Sequence, residues 1–97
     1  MSRRLVEKRL SQSAERLKHL RAELGVVEEQ LLFLSEAADE ARLRALVSET
    51  PLADKEHREA QRHAEAMSRR RADILASIEE LERTQNQLLD RLVDETG

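Results

Sequence analysis

The chain has 97 residues, of which 38% are charged and 39% hydrophobic, with one aromatic (Phe33), one proline, two glycines and no cysteine. A chain of this size is at most one domain, a single ring cannot anchor an ordinary globular core, and a disulfide framework or thiolate zinc site is excluded for want of cysteine. Lys+Arg 17 against Asp+Glu 20 leaves a net charge of -3, with nine bases and nine acids in residues 1–49 and eight bases and eleven acids in residues 50–97. Neither half is a basic arm, and with one ring available for stacking, nucleic acid is not an expected partner. A β fold is not expected either, because strands want aromatic and β-branched residues with turn signals every 8–12 residues.

At the N-terminus Arg3 and Arg4 open like a signal sequence, but Glu7, Lys8 and Arg9 interrupt any apolar region. No run approaches the ~20 apolar residues of a membrane span, so no membrane partner is expected and the default address is cytoplasmic. Arginine outnumbers lysine fourteen to three, the bias of a GC-rich bacterial genome.

The first predicted element is a helix over about 3–47. Leu10, Leu17, Leu24, Leu31, Ala38 and Ala45 recur at one heptad position, and Leu20, Val27, Leu34 and Ala41 at the other. That is a coiled-coil seam. Gly25 sits mid-helix beside Leu24 and costs about 1 kcal/mol relative to alanine, so a weak point or bend is expected there if anywhere. The turn follows at about 48–51. Thr50 is placed to cap the next helix, and Pro51 to occupy its first position, where a missing N–H costs nothing. Pro51 also disfavours helical geometry at Thr50, which stops the first helix near Val47 or Ser48.

The second predicted helix covers about 51–94. Its seam runs through Ala60, Ala64, Met67, Ile74, Ile78, Leu81, Leu88 and Leu92, with His57, Arg71 and Gln85 as polar intrusions matching Ser13 on the first helix. Such intrusions usually specify register or oligomeric state. Each helix of about 45 residues would be roughly 65–70 Å long, several times the globular average. The short turn makes the two antiparallel. Seam positions summing to about 101 then set Ala41 beside Ala60, Leu34 beside Met67, Val27 beside Ile74 and Leu20 beside Leu81. In the same register the acids Glu28, Glu29, Glu36 and Asp39 are expected to face Arg62, Arg69, Arg70 and Arg71, and the bases Arg3, Arg4, Lys8 and Arg9 to face Asp90, Asp94 and Glu95.

A lone two-helix hairpin buries one narrow seam, which offsets the cost of ordering only marginally. Apolar residues nevertheless remain off the seam: Val26, Leu32 and Phe33, then Leu43, Leu46 and Val47, Leu52 in the turn, and Leu75, Leu89 and Val93 on the second helix. The expectation is an all-α antiparallel coiled-coil hairpin that dimerises into a four-helix bundle, with Val26, Leu32, Phe33, Leu75 and Leu89 in the interface.

Candidate chemistry is sparse. Asp54, His57, Glu59 and His63 share the start of the second helix at three- and four-residue spacings, which suits a metal-binding hairpin. The outline resembles small encapsulated ferritins, whose inward Glu on the first helix and aromatics are missing here. Arg69-Arg70-Arg71 could grip phosphate, although pairing with Glu28, Glu29 and Glu36 is the simpler reading. The serines Ser11, Ser13, Ser35 and Ser48 have no histidine or acid arrangement for a nucleophile, so neither catalysis nor a cofactor is expected. The turn combines Leu43, Leu46, Val47 and Leu52 with Glu49 and Asp54. These six residues read either as a partner-binding tip or as leucines closing over the alanine layers.

In outline the chain is similar to the arm of seryl-tRNA synthetase, to Gre-type factors that insert an acidic coiled-coil tip into RNA polymerase, and to the small WXG proteins, without sharing a diagnostic motif with any of them. Two functional expectations follow. The first is a self-associating, non-catalytic interaction or scaffold protein. The second is a regulatory factor whose tip enters a larger machine such as RNA polymerase or the ribosome, with a ferritin-like metal-binding hairpin third.

Overall fold

The structure, a computed structural model, describes residues 2–96, with side chains described to Asp94. Two helices account for it: α1, Arg3–Ser48, and α2, Pro51–Thr96, each of 46 residues. Glu49 and Thr50 alone connect them, so the fold is the all-α antiparallel hairpin that the heptads predict. Helix α1 ends one residue and α2 two residues beyond the expected limits.

Local chemistry accounts for these boundaries. At the start of α1 the Ser2 hydroxyl accepts a hydrogen bond from the Leu5 amide at 3.2 Å, a cap the sequence reading did not identify. Thr50 does the same for α2, where its side-chain oxygen accepts from the Ala53 amide at 3.2 Å and its carbonyl from the Asp54 amide at 3.1 Å. Pro51 is the first helical residue, as its lack of an N–H predicts. Asp54 lies in the first turn of α2, where the helix dipole favours an anion.

Close contacts divide the chain into two compact units, one made of Met1–Leu24 with Ile74–Gly97 and the other of Gly25–Asp73. They are called the terminal unit and the turn unit below. In the terminal unit Val6, Leu17, Ile74, Ile78 and Leu88 are buried, with Leu10, Leu20, Leu24, Leu81 and Leu92 half-buried around them. Ser13 occupies a seam position there and is buried, its hydroxyl donating to the Leu10 carbonyl at 2.9 Å, so this polar intrusion is satisfied within its own helix. In the turn unit the buried apolar residues are Val27, Ala38, Ala41, Ala53 and Ala64. Val6 and Ala53 continue the heptads by one step at either end, beyond the predicted seam.

The expected charge pairing holds only next to the seams. Arg71 donates to Glu28 at 3.3 Å in the turn unit, and Arg21 meets Glu82 at 3.6 Å in the terminal unit. Both pairs bracket the register sum of about 101. For most of the remaining outward charges the expected facing gives no ion pair among the described residues. Among the described residues no bond joins Glu29, Glu36 or Asp39 to Arg62 or Arg69, and Arg3 pairs with Glu7 on its own helix. Glu95 has its side chain outside the described residues. The reason is angular: a residue midway between successive seam positions points away from the partner helix, whatever its height along the axis.

Gly25 lies within an uninterrupted α1, and a Cβ built on it meets no heavy atom within 4 Å. The Gly25→Ala variant is therefore expected to be more stable by up to about 1 kcal/mol, read as a higher urea midpoint with unchanged m-value. A loss of stability would mean that a second molecule approaches this backbone.

Candidate functional site

The turn unit has a thin core, with many of its large hydrophobic side chains outside it. Alanines fill most of its buried positions, with Ala38 at 4% and Ala41 at 3% exposure, while Val26, Leu32, Phe33, Leu43, Leu46, Val47 and Leu52 lie exposed, Phe33 at 70% and Val47 at 84%. Alanine on the seam lets two helices approach closely. It also leaves little apolar area inside to offset the ordering of the chain.

The exposed set has a common orientation. Val26, Phe33 and Val47 occupy one heptad position, Leu32 and Leu46 the position before it, and both face away from α2. Leu43 falls between them, so the second half of α1 carries an apolar stripe on its outer surface as well as its seam. By contrast α2 is strongly amphipathic, with its large apolar residues on one side. Beside the stripe, Glu29, Gln30, Phe33, Leu34 and Met67 line an open, mostly apolar groove along the joint between α1 and α2. Of the other residues expected in an interface, Leu75 is half-buried and Leu89 exposed, and both belong to the terminal unit rather than to this stripe.

At the turn, the expectation that Leu46 and Leu52 close over the alanine layers is not met. Both are about two-thirds exposed, while Ala53 is buried and Ala45 half-buried. Glu49 is in the left-handed region, with φ 51°, and its amide donates to the Ala45 carbonyl at 3.1 Å, which terminates α1. The sequence did contain a signal for this: Pro51 forces Thr50 to be extended, so Glu49 must make the reversal. A left-handed residue with a Cβ is strained.

The metal-site candidates are not brought together. His57 is half-buried on the seam side, His63 is exposed, Asp54 pairs with Arg58 and Lys55 approaches Glu59 at 3.9 Å. Among the described residues no group of three or more His, Asp and Glu side chains is placed to hold an ion. The arginine triplet is similarly divided, since Arg71 reaches Glu28 beside the seam while Arg69 points outward. No helix among the described residues is long and apolar enough to cross a membrane. No protein-family model matches the chain, and comparison with curated proteins and with solved structures gave no match.

Replacing Glu49 by glycine relieves the left-handed strain without touching a packed side chain. The Glu49→Gly variant is expected to gain about 1 kcal/mol in denaturant unfolding, and Glu49→Val to lose stability, because a β-branched residue tolerates positive φ least.

Proposed function

We propose that this chain is a non-catalytic interaction module whose hairpins associate with one another, with the cytoplasm as its working compartment. The observation that supports this reading is the thin core of the turn unit: alanines inside nearest the turn, and Leu32, Phe33, Val26 and their neighbours outside. Single exposed apolar residues are ordinary, but two apolar patches on one helix face, Val26 with Leu32 and Phe33 and then Leu43 with Leu46 and Val47, separated by Glu36, Asp39 and Glu40, have the apolar-and-acidic make-up of a covered surface. Covering it would add the apolar burial that the alanine seam lacks.

Light scattering over a dilution series tests the proposal. The expected result is a mass above the 11.2 kDa of one chain, which falls toward that value when Leu32→Gln and Phe33→Gln are combined. A well-folded wild-type monomer across the series would refute self-association.

The exposed tip supports a second reading, in which Leu43, Leu46, Val47 and Leu52, flanked by Glu49 and Asp54, insert into a larger assembly such as RNA polymerase or the ribosome. The strained Glu49 is consistent with it, since strain of this kind often accompanies a binding loop. Combined Glu49→Gln, Leu52→Ser and Asp54→Asn substitutions, none of them on the stripe, are expected to leave the self-associated mass unchanged. A fall in mass would assign the tip to self-association and remove the second reading.

A further inference from the structure

Four charges that the hairpin leaves unpaired, two acids on α1 and two bases on α2, fall at matching spacings in the turn unit. Between Arg21 and Arg42 α1 has no basic residue, and its outer surface carries Glu29, Glu36, Asp39 and Glu40 among the exposed apolar side chains. On α2 the corresponding outward positions hold Arg62 and Arg69, with the small Ala66 between them and the acids Glu65 and Asp73 to their sides. Each of Glu29, Glu36, Arg62 and Arg69 stands midway between two successive seam residues, exposed and directed away from its partner helix, and none forms an ion pair among the described residues.

The spacings match. Glu29 and Glu36 are one heptad apart, as are Arg62 and Arg69, so an antiparallel α2 laid on the outer face of α1 aligns Glu29 with Arg69 and Glu36 with Arg62 together. The same offset sets Phe33 level with Glu65 and within one residue of Ala66, whose methyl side chain leaves room for the ring. These two faces lie on opposite edges of one hairpin and cannot meet within it. A second copy brings them together.

We propose that copies of this chain associate side by side and head to tail, the acidic, apolar outer face of α1 in one copy docking on the outer face of α2 in the next, where Arg62 and Arg69 meet its acids. This rests on the self-association reading and specifies its geometry. A closed dimer in which two α1 outer faces met across a two-fold axis would set Glu29, Glu36, Asp39 and Glu40 of both copies against one another with no base among them. The head-to-tail contact pairs opposite charges instead. Because every copy keeps one face of each kind, growth does not stop at two chains but continues into a ring or an open row. Leu32 and Phe33 supply the affinity, while the charge pairs choose the partner face and register.

Charge reversal tests this in solution. Wild type is expected to exceed two copies, with a mass that rises with concentration and falls as salt is raised. Glu29→Arg with Glu36→Arg, and separately Arg62→Glu with Arg69→Glu, are each expected to reduce the mass to that of one chain while helicity by circular dichroism is kept. Mixing the two variants in equal amounts restores every charge pair across copies, and the expected result is recovery of the wild-type mass. A wild-type mass that stays at two chains, an Arg62→Glu/Arg69→Glu variant that associates as wild type does, or a mixture that remains single chains would overturn the geometry while leaving self-association standing. A monomeric wild type would remove both. Should reversal cost helicity, Arg62→Gln with Arg69→Gln decides the matter: a lower mass supports the contact, and an unchanged mass overturns it.

Discussion

Close approach of two helices over alanine is the constraint on which the turn unit depends. Ala38, Ala41, Ala53 and Ala64 are buried on the seam nearest the turn, with Val27, Leu31, Leu34 and Met67 on the seam further from it. Beyond Leu34 the α1 seam holds only alanine, and the large apolar residues Leu43, Leu46 and Val47 stand outward, as Val26, Leu32 and Phe33 do further back. In the terminal unit the seam holds Leu17, Ile74, Ile78 and Leu88, and the inside and outside have their ordinary characters. One helix pair thus combines a conventional core with a segment whose greasier surface faces water.

Angle around the helix, more than height along it, decides what a charge can do in such a fold. Arg71 reaches Glu28, and Arg21 reaches Glu82, because these positions border the seam. Glu29, one residue further along, has turned by a large fraction of a circle and is directed elsewhere. This also explains why neighbouring arginines in the triplet have different surroundings, Arg71 against an acid and Arg69 in solvent.

Much of this was legible in the sequence, because the heptads state it directly. A three-four stepping of apolar residues fixes which side of each helix is buried, and the Thr50-Pro51 pair fixes where the second helix begins. Less visible were the details set by geometry rather than pattern. Ser2 acts as a cap only because the chain before α1 places its hydroxyl near the Leu5 amide. Charge blocks read along the chain suggested general pairing, and the outward direction of Glu29, Glu36, Arg62 and Arg69 emerges only when each is located against the seam. The tip leucines were ambiguous for a similar reason: composition cannot say whether Leu52 folds back over Ala45 or stands off it, and it stands off.

The alanine seam also has a kinetic side. Local opening of a helix pair exposes only what its seam had buried, and methyl groups resist that exposure far less than leucine and isoleucine side chains do. Backbone amides from about Val27 to Ala64 thus exchange with solvent through smaller, more frequent fluctuations than those around Leu17 and Ile78. Covering the outer stripe slows precisely those amides, so slowed deuterium uptake in residues 25–73 is a footprint of whatever molecule occupies the surface.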